Sequence, residues 1–400
     1  MIVGPTRRMI VAAGAATLAM PAILWAQPAT VKVGLIHPVT GALAYGGQLC
    51  RLGGQTAIED INAAGGLKSM GGAKLEALLG DAQGRPDIGA SLVDQMSEGG
   101  AAGFTGCFAS PIALAATQAA AKYNLPFCID SGLADSITAR GLKNVFRLFP
   151  TASATTTDAM AALDAINKKA GSPAKTAIIV HEDGEFGTNT AKLLGAKLET
   201  IGIRLIETIP HATPTRDFSN IVLRIKAAKP DLVIPSNYNN EYVLLARTLM
   251  QQKVELASIF SVAGGGFNLR FAKEQPTVAE NIIDFNHWYN PRSPRAAAFV
   301  KQFQDKGALF SFELLFGYFA MRFLVDAMER AGSADKEKVV EALSTSTFND
   351  DLLTYGPTKI VGGQNQDAHA TALQVQKGDI HVVFPEQFSD AAAVFPRPKA

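Results

Sequence analysis

Ser110-Pro111 is where residue type and spacing point most directly at chemistry. Serine at a helix N-cap, proline at the first helical position and Ile112-Ala113-Leu114-Ala115 behind them make a strong helix start. The free amides and partial positive charge of such an end attract an anion such as a carboxylate, although the same serine would also serve as a plain cap. The other candidates sit in short loops that follow apolar runs. They are Thr40-Gly41 with Tyr45-Gly46-Gly47, Phe108-Ala109, Asp130-Ser131-Gly132, Glu182 to Phe186-Gly187, and Ser236-Asn237-Tyr238-Asn239-Asn240. Small residues let backbone approach a ligand, while hydroxyls and rings supply the few polar and apolar contacts of a small-molecule cleft. Covalent chemistry is not signposted: no GxxxxGK[ST], HExxH, GxSxG or CxxC occurs, and the first strand lacks GxGxxG. The six histidines are scattered with no close His/Cys pair, so neither a metal site nor a cofactor is expected.

These loops need elements to hold them. Short β-rich runs fall at Val31–Ile36, Leu75–Leu79, Gly103–Phe108, Leu125–Ile129, Thr176–His181, Leu205–Ile209, Leu232–Pro235 and Ser258–Val262. Segments of helical period lie between them, at Gly47–Ala63, Ala113–Lys122, Thr190–Ile201, Phe218–Ala228 and Glu241–Gln251. Strand, helix, strand, repeated, predicts a parallel sheet with helices on both faces. The pattern runs twice, over about 31–148 and 175–265, around a polar break at Thr151–Thr157. The expected fold is therefore α/β, with two Rossmann-like, doubly wound lobes and a cleft between them. Ligands of such sheets bind outside the carboxyl ends of the strands, where the candidate loops fall.

Composition narrows the function classes. The 400 residues are 48% hydrophobic and 18% charged, which excludes a disordered chain. A balance of 37 basic against 36 acidic side chains gives no basic surface for nucleic acid. Three cysteines cannot build a disulfide framework; Cys107 and Cys128 end neighbouring predicted strands, but spacing does not establish a pair. Residues 1–26 read as a cleavable signal peptide, with Arg7-Arg8, an uncharged run from Met9 to Leu24 and small Ala26 before Gln27. Thr6-Arg7-Arg8 also resembles a twin-arginine export signal. No later stretch is apolar for long enough to span a bilayer, so the expectation is an exported protein free in the periplasm.

At this point the chain resembles the type I periplasmic substrate-binding proteins of ABC importers, specifically the branched-chain amino acid (Leu/Ile/Val-binding) family. Val31-Lys32-Val33-Gly34-Leu35-Ile36 with Thr40-Gly41 and Tyr45-Gly46 is similar to that family's first strand and ligand loop. Ala57-Ile58-Glu59-Asp60-Ile61-Asn62-Ala63-Ala64-Gly65-Gly66 resembles the end of its first helix. Asp81 with Pro86, Asp217-Phe218-Ser219, Lys229-Pro230-Asp231 and Ala327-Met328-Glu329-Arg330-Ala331-Gly332-Ser333 follow in the family's order. The resemblance implies two lobes joined by three hinge strands that close on ligand. It puts the crossings near Phe149-Pro150, Ile283–Trp288 and Tyr355–Val361. One lobe is then 31–149 plus 285–356, the other 150–284 plus 357–400. The implied partners are a small-molecule ligand and the permease subunits of an ABC transporter, with membrane contact only through the permease.

Carried over residue by residue, Ser110 matches the serine that receives a ligand carboxylate, and Tyr45 an aromatic contact. Phe108 ends the strand beside it. Ser131, Gly132 and Ala134 lie where the family offers a second clamp; Phe186 stands where a tyrosine is usual, and Tyr238 matches a tyrosine lining the other side. These rings would also serve as core packing. One departure bears on specificity. The family's amino-acid binders carry an acid just after the strand equivalent to Ser258–Val262, to hold the ligand ammonium. Here Ala263 and Gly264 stand there, with Glu185 or Glu241 as the nearby substitutes. An amino acid and a non-amino carboxylate with a flat apolar body, set among Phe186, Tyr238, Trp288 and Tyr289, both remain open. The competing classes are a ligand-sensing receptor for amides or organic acids and an exported Rossmann-type enzyme.

Overall fold

Two seven-stranded sheets organise the computed structural model, which describes Met1 and residues 30–398. The signal-peptide reading of 1–26 lies outside the described residues. The strands are β1 (Thr30–His37), β2 (Lys74–Asp81), β3 (Ala101–Gly106), β4 (Phe127–Ile129), β5 (Val145–Arg147), β6 (Thr176–Glu182), β7 (Arg204–His211), β8 (Leu232–Ser236), β9 (Ser258–Val262) and β10 (Ile283–Asn286), followed by β11 (Ile360–Val361), β12 (Gln364–Asn365), β13 (Thr371–Gln376) and β14 (Asp379–Phe384). The first sheet runs β2-β1-β3-β4-β5-β12-β11 and the second β7-β6-β8-β9-β10-β13-β14. Each is parallel over its first five strands and takes an antiparallel pair late in the chain. Strand order reverses between β1 and β3, and again between β6 and β8, so both sheets open a crevice at a switch point.

Burial explains the strands. Ala177, Ile178, Ile179 and Val180 of β6 are wholly buried, as are Leu232, Val233 and Ile234 of β8; continuous apolar runs mark strands covered on both faces. Helices cover them, and the Phe312–Ala331 helix is buried nearly all round against the Ala44–Ala63 helix. Three short runs connect the sheets, after β5, after β10 and between β12 and β13.

Three expectations are corrected. The third crossing, expected at Tyr355–Val361, falls at 366–370, because Gln364 pairs with Arg147 and keeps β12 in the first sheet. The second crossing falls within its expected range, but the lobe boundary expected between 284 and 285 lies after Asn286, because Phe285 and Asn286 still pair with β13. The polar break at Thr151–Thr157 is the N-cap and opening turns of an 18-residue helix, Ala152–Lys169. Thr151 caps it, its hydroxyl accepting the Ala154 amide at 3.1 Å, so the hydroxyl-rich run satisfies a helix end instead of interrupting structure.

Cys50, Cys107 and Cys128 are free and buried, and burial raises all three thiols. Because the thiolate is the reactive form, a native sample should leave all three unlabelled by an aromatic disulfide reagent and release three equivalents only in denaturant. Prompt reaction of one thiol in the native state would contradict this placement.

Candidate functional site

The carboxyl ends of β1, β3 and β4 are tied together by one buried aspartate. Asp130 accepts the Phe108 amide at 2.9 Å and the Ser131 amide at 2.5 Å, and its other oxygen lies 2.8 Å from His37 Nε2. Phe108 adopts φ +65°, a left-handed conformation uncommon for a bulky residue, and the Asp130 bond holds it there. The Ser131 hydroxyl donates to the Phe108 carbonyl at 3.0 Å. Phe108, Ser110 and Ser131 are thereby fixed before any ligand arrives.

Ser110 is not the cap. Ala109 occupies that position with extended backbone, and Ser110 and Pro111 are the first two residues of the Ser110–Ala121 helix. The Ser110 hydroxyl instead accepts the Ala134 amide at 3.2 Å, tying its loop to the loop after β4. The first intrahelical bond runs from Ala113 to Ala109, so the Ser110 and Ile112 amides precede it, as at any helix start.

The second sheet supplies the opposite wall. The Glu182 carboxylate accepts the Gly184 and Gly187 amides at 2.7 and 2.5 Å, fixing the start of the Glu185–Leu198 helix that carries Phe186. Gly265 donates to the Asn237 carbonyl at 2.9 Å, and Asn237 Nδ2 lies 2.8 Å from His211 Nε2, with Asn237 Oδ1 left unpartnered. Ala263 sits at φ +52°, and Asp284 accepts the adjacent Gly264 amide at 3.0 Å. Burial lifts the Asp284 carboxyl to about 6 against the bonds from Ser261, Asn286 and Gly264.

These loops meet in a cleft with about 40 Å³ of free space, lined by Phe108, Ser110, Ser131, Leu133, Phe186, Asn237, Tyr238, Ala263, Gly265, Asn286, His287, Phe312 and Phe316. Phe108 of the first sheet meets Tyr238 of the second across it at 5.8 Å between centroids, and Phe186 packs beside Tyr238 on the same wall at 5.4 Å. Ser136 donates to Glu185 across the cleft at 2.9 Å. On another rim the Arg270 guanidinium lies 5.6 Å from the Tyr45 ring centroid. Within the lining, His287 at the second crossing packs on Phe149 of the first and on Phe316 of the late helix; burial lowers its imidazole to about 3, so it is neutral, and its Nε2 is unpartnered.

The structure therefore brings Phe108, Ser110, Ser131, Phe186, Tyr238 and Ala263 together and leaves four candidates outside the lining. Tyr45 is a rim residue under Arg270. Gly132 and Ala134 turn their carbonyls away from the cleft, toward Arg147, which donates to both at 2.6 and 3.0 Å. Gly264 is engaged with Asp284. Neither substitute acid reaches the lining: Glu185 bonds Ser136, and Glu241 accepts the Thr215 amide at 3.2 Å. His181, at the end of β6, is also outside the lining, buried with its Nδ1 2.7 Å from the Glu182 carbonyl. Trp288 and Tyr289 pack edge-to-face on Phe310 in the core, leaving the aromatic wall to Phe312 and Phe316. Those two were missed; their i, i+4 spacing was visible, but in a helix apolar all round it reads as core.

Residues 30–379 match the family model described as periplasmic binding protein. The chain is 29% identical over 384 residues to Leu/Ile/Val-binding protein homolog 7 of Brucella melitensis, covering 92% of this chain and 93% of that one. It is similar in fold to the substrate-binding protein LivJ of Streptococcus pneumoniae solved with isoleucine (TM-score 0.76, 19% identity, covering 92% and 100%). A solute-binding protein of an ABC transporter from R. palustris, solved with benzoate, is similarly close (TM-score 0.77, 20% identity, covering 91% and 97%). Among the described residues no helix is long and apolar enough to cross a membrane. With its paired switch-point crevices facing one cleft, the chain has the type I fold and belongs to the periplasmic binding protein family.

Proposed function

We propose that this protein is the periplasmic solute-binding component of an ABC importer and captures a small carboxylate in the interlobe cleft. The observation that carries this reading is the convergence of strand-end loops from two like sheets on one aromatic-walled cleft. The ligand carboxylate sits at the start of the Ser110–Ala121 helix, between the Ser110 hydroxyl and the loop from Ser131 to Leu133. Its body lies among Phe108, Phe186, Tyr238, Phe312 and Phe316. Isoleucine and benzoate, held by the two solved relatives, share a carboxylate, and that supports the assignment. Capture works by differential contact: a ligand touching both lobes stabilises the shut form, which the permease then reads. No bond in the ligand needs to change.

A thermal-shift screen of amino acids, aromatic acids, dicarboxylates and amides, followed by calorimetry, tests this. One small carboxylate should raise the melting temperature and bind one to one without turnover. In Ser110→Ala the dissociation constant should rise about tenfold, the loss of one hydrogen bond to a charged group. The apo melting point should move by no more than about 3 °C, because only the Ala134 amide loses a partner. An unchanged dissociation constant would place the carboxylate elsewhere.

A further inference from the structure

Behind the three crossings lies a larger space than the cleft, about 210 Å³ against about 40 Å³. Its walls are Phe285 of β10, Phe384 and Phe388 near the end of the chain, and Ala161 on the Ala152–Lys169 helix. Thr354, which lies between the second and third crossings, closes it from the first lobe. That lobe also holds the segment carrying Phe388. Arg292 donates to the Glu386 and Ser389 carbonyls at 3.3 and 3.1 Å, and the Asn290 amide donates to the Leu352 carbonyl at 2.8 Å. The cavity and the cleft share β10. Side chains alternate along a strand, so Phe285 faces the cavity while Asn286 faces the cleft. Thr371, in the cavity wall, donates its hydroxyl to the Asn286 carbonyl at 3.2 Å; the Phe285 carbonyl accepts the amide of cleft-lining Ala263 at 3.0 Å.

Apolar walls with a few placed polar groups, at a junction between lobes, are the makings of a small-molecule site. An apolar cavity of about 150 Å³ already holds a benzene ring, so this one has room for a ring and a short side arm. Among the described residues that line it, Asp158 is the one carboxylate, and there is no lysine or arginine. His369 Nδ1 lies 2.9 Å from Asp158 Oδ2, which leaves Oδ1 for an incoming donor. We propose that this cavity is a second ligand site and takes a small aromatic amine, its ring among Phe285, Phe384 and Phe388 and its ammonium on Asp158. Aromatic faces attract the same cation. A carboxylate, the group assigned to the cleft, would meet Asp158 as a like charge. In this structure the lobes touch across the cleft, through Ser136 with Glu185 and Phe108 with Tyr238. An amine filling the cavity contacts both lobes and stabilises this arrangement. It therefore tightens capture in the cleft, and by linkage the captured ligand tightens the amine. That coupling rests on the capture reading above; the site itself does not.

The test is calorimetry of the whole protein with benzylamine, benzyl alcohol and benzoate at neutral pH. Benzylamine should bind one to one with a dissociation constant below about 1 mM, about tenfold tighter than benzyl alcohol, and benzoate should not displace it. Asp158→Asn should remove the preference for amine over alcohol. Ala161→Trp, a change at an exposed helix position on the mouth of the cavity, should abolish binding of both. Saturating benzylamine should lower the dissociation constant of the carboxylate found by the thermal-shift screen about fivefold, in the wild type and not in Ala161→Trp. No saturable binding by about 10 mM, equal binding of amine and alcohol, binding that survives Ala161→Trp, or displacement by benzoate would each overturn the site. An unchanged or raised dissociation constant for the carboxylate would overturn the coupling. If no carboxylate binds at all, the capture reading falls and the coupling with it, whereas benzylamine decides the cavity on its own.

Discussion

Arg147→Met is expected to destabilise the protein by about 3 kcal/mol and to weaken ligand capture about tenfold or more. Arg147 is a fully buried guanidinium in β5, only 1% exposed, and burial lowers it to about 10 despite distant help from Asp135. No carboxylate bonds it. It donates instead to the Gly132 and Ala134 carbonyls, to Gln364 Oε1 at 2.7 Å and to the Thr138 hydroxyl at 3.3 Å. Gln364 passes the connection on, donating to the Phe149 carbonyl at 2.7 Å. One side chain therefore shapes the loop from Ser131 to Ala134 and ties it to two interlobe crossings.

Two effects oppose each other in that substitution. Removing a buried charge relieves its desolvation, and replacing whole buried ionic groups by apolar ones is often neutral. Here the partners stay behind. Each abandoned buried acceptor costs about 1–3 kcal/mol, and methionine keeps the stem packing while answering none of them. Abandonment should win. Arg147→Lys, which keeps charge but loses the planar fork, should fall between the two. The reading is a urea midpoint with unchanged slope, plus a dissociation constant for whichever carboxylate the screen identifies. A loss under about 0.5 kcal/mol with native affinity would mean that the loop holds its shape unaided.

What could be read from the residues was set by the range of the forces involved. Alternating strand and helix signals are local, and they located Ser110, Phe108, Ser131, Phe186 and Tyr238 on loops that do meet, while Ala263 came only from the family resemblance. The three-residue strands β4 and β5 have little local signal, and only the first fell within an expected run. His287, Phe312 and Phe316 reach the cleft because crossings and a late helix return the chain to the first lobe, which no local pattern encodes. The same return separates Phe312 from Trp288 and Tyr289. All are aromatic and apolar, yet the latter two close on Phe310 and leave the wall. Aromatic type gave the chemistry of the wall but not its membership. Ser110 shows the reverse case: its place at a helix start was legible, while its bond to Ala134 depends on a loop 24 residues away.

That late helix reaches the cleft only because backbone meets backbone where it crosses the first helix. A Cβ on Gly317 would stand 1.9 Å from the Cys50 carbonyl oxygen and 2.7 Å from its carbon; one on Gly53 would stand 2.3 Å from the Leu314 carbonyl oxygen. These neighbours are main chain, so no rotamer change relieves them. Alanine gains about 1 kcal/mol of helix propensity over glycine, whereas overpacking a core costs about 1–3 kcal/mol or more. At a contact this short the second effect dominates. Gly317→Ala should therefore lose about 2 kcal/mol net and, by pushing the helix outward, displace the cleft-lining Phe312 and Phe316 together. Affinity should drop about tenfold even where the variant is fully folded, since a small shift of positioned groups is enough to spoil a contact. Gly195→Ala is the control: its Cβ would meet only the tip of Leu205 at 3.3 Å, and it should be neutral or mildly stabilising. If Gly317→Ala matches that control in both melting temperature and dissociation constant, the two helices can part freely, and their close crossing does not set the depth of the cleft.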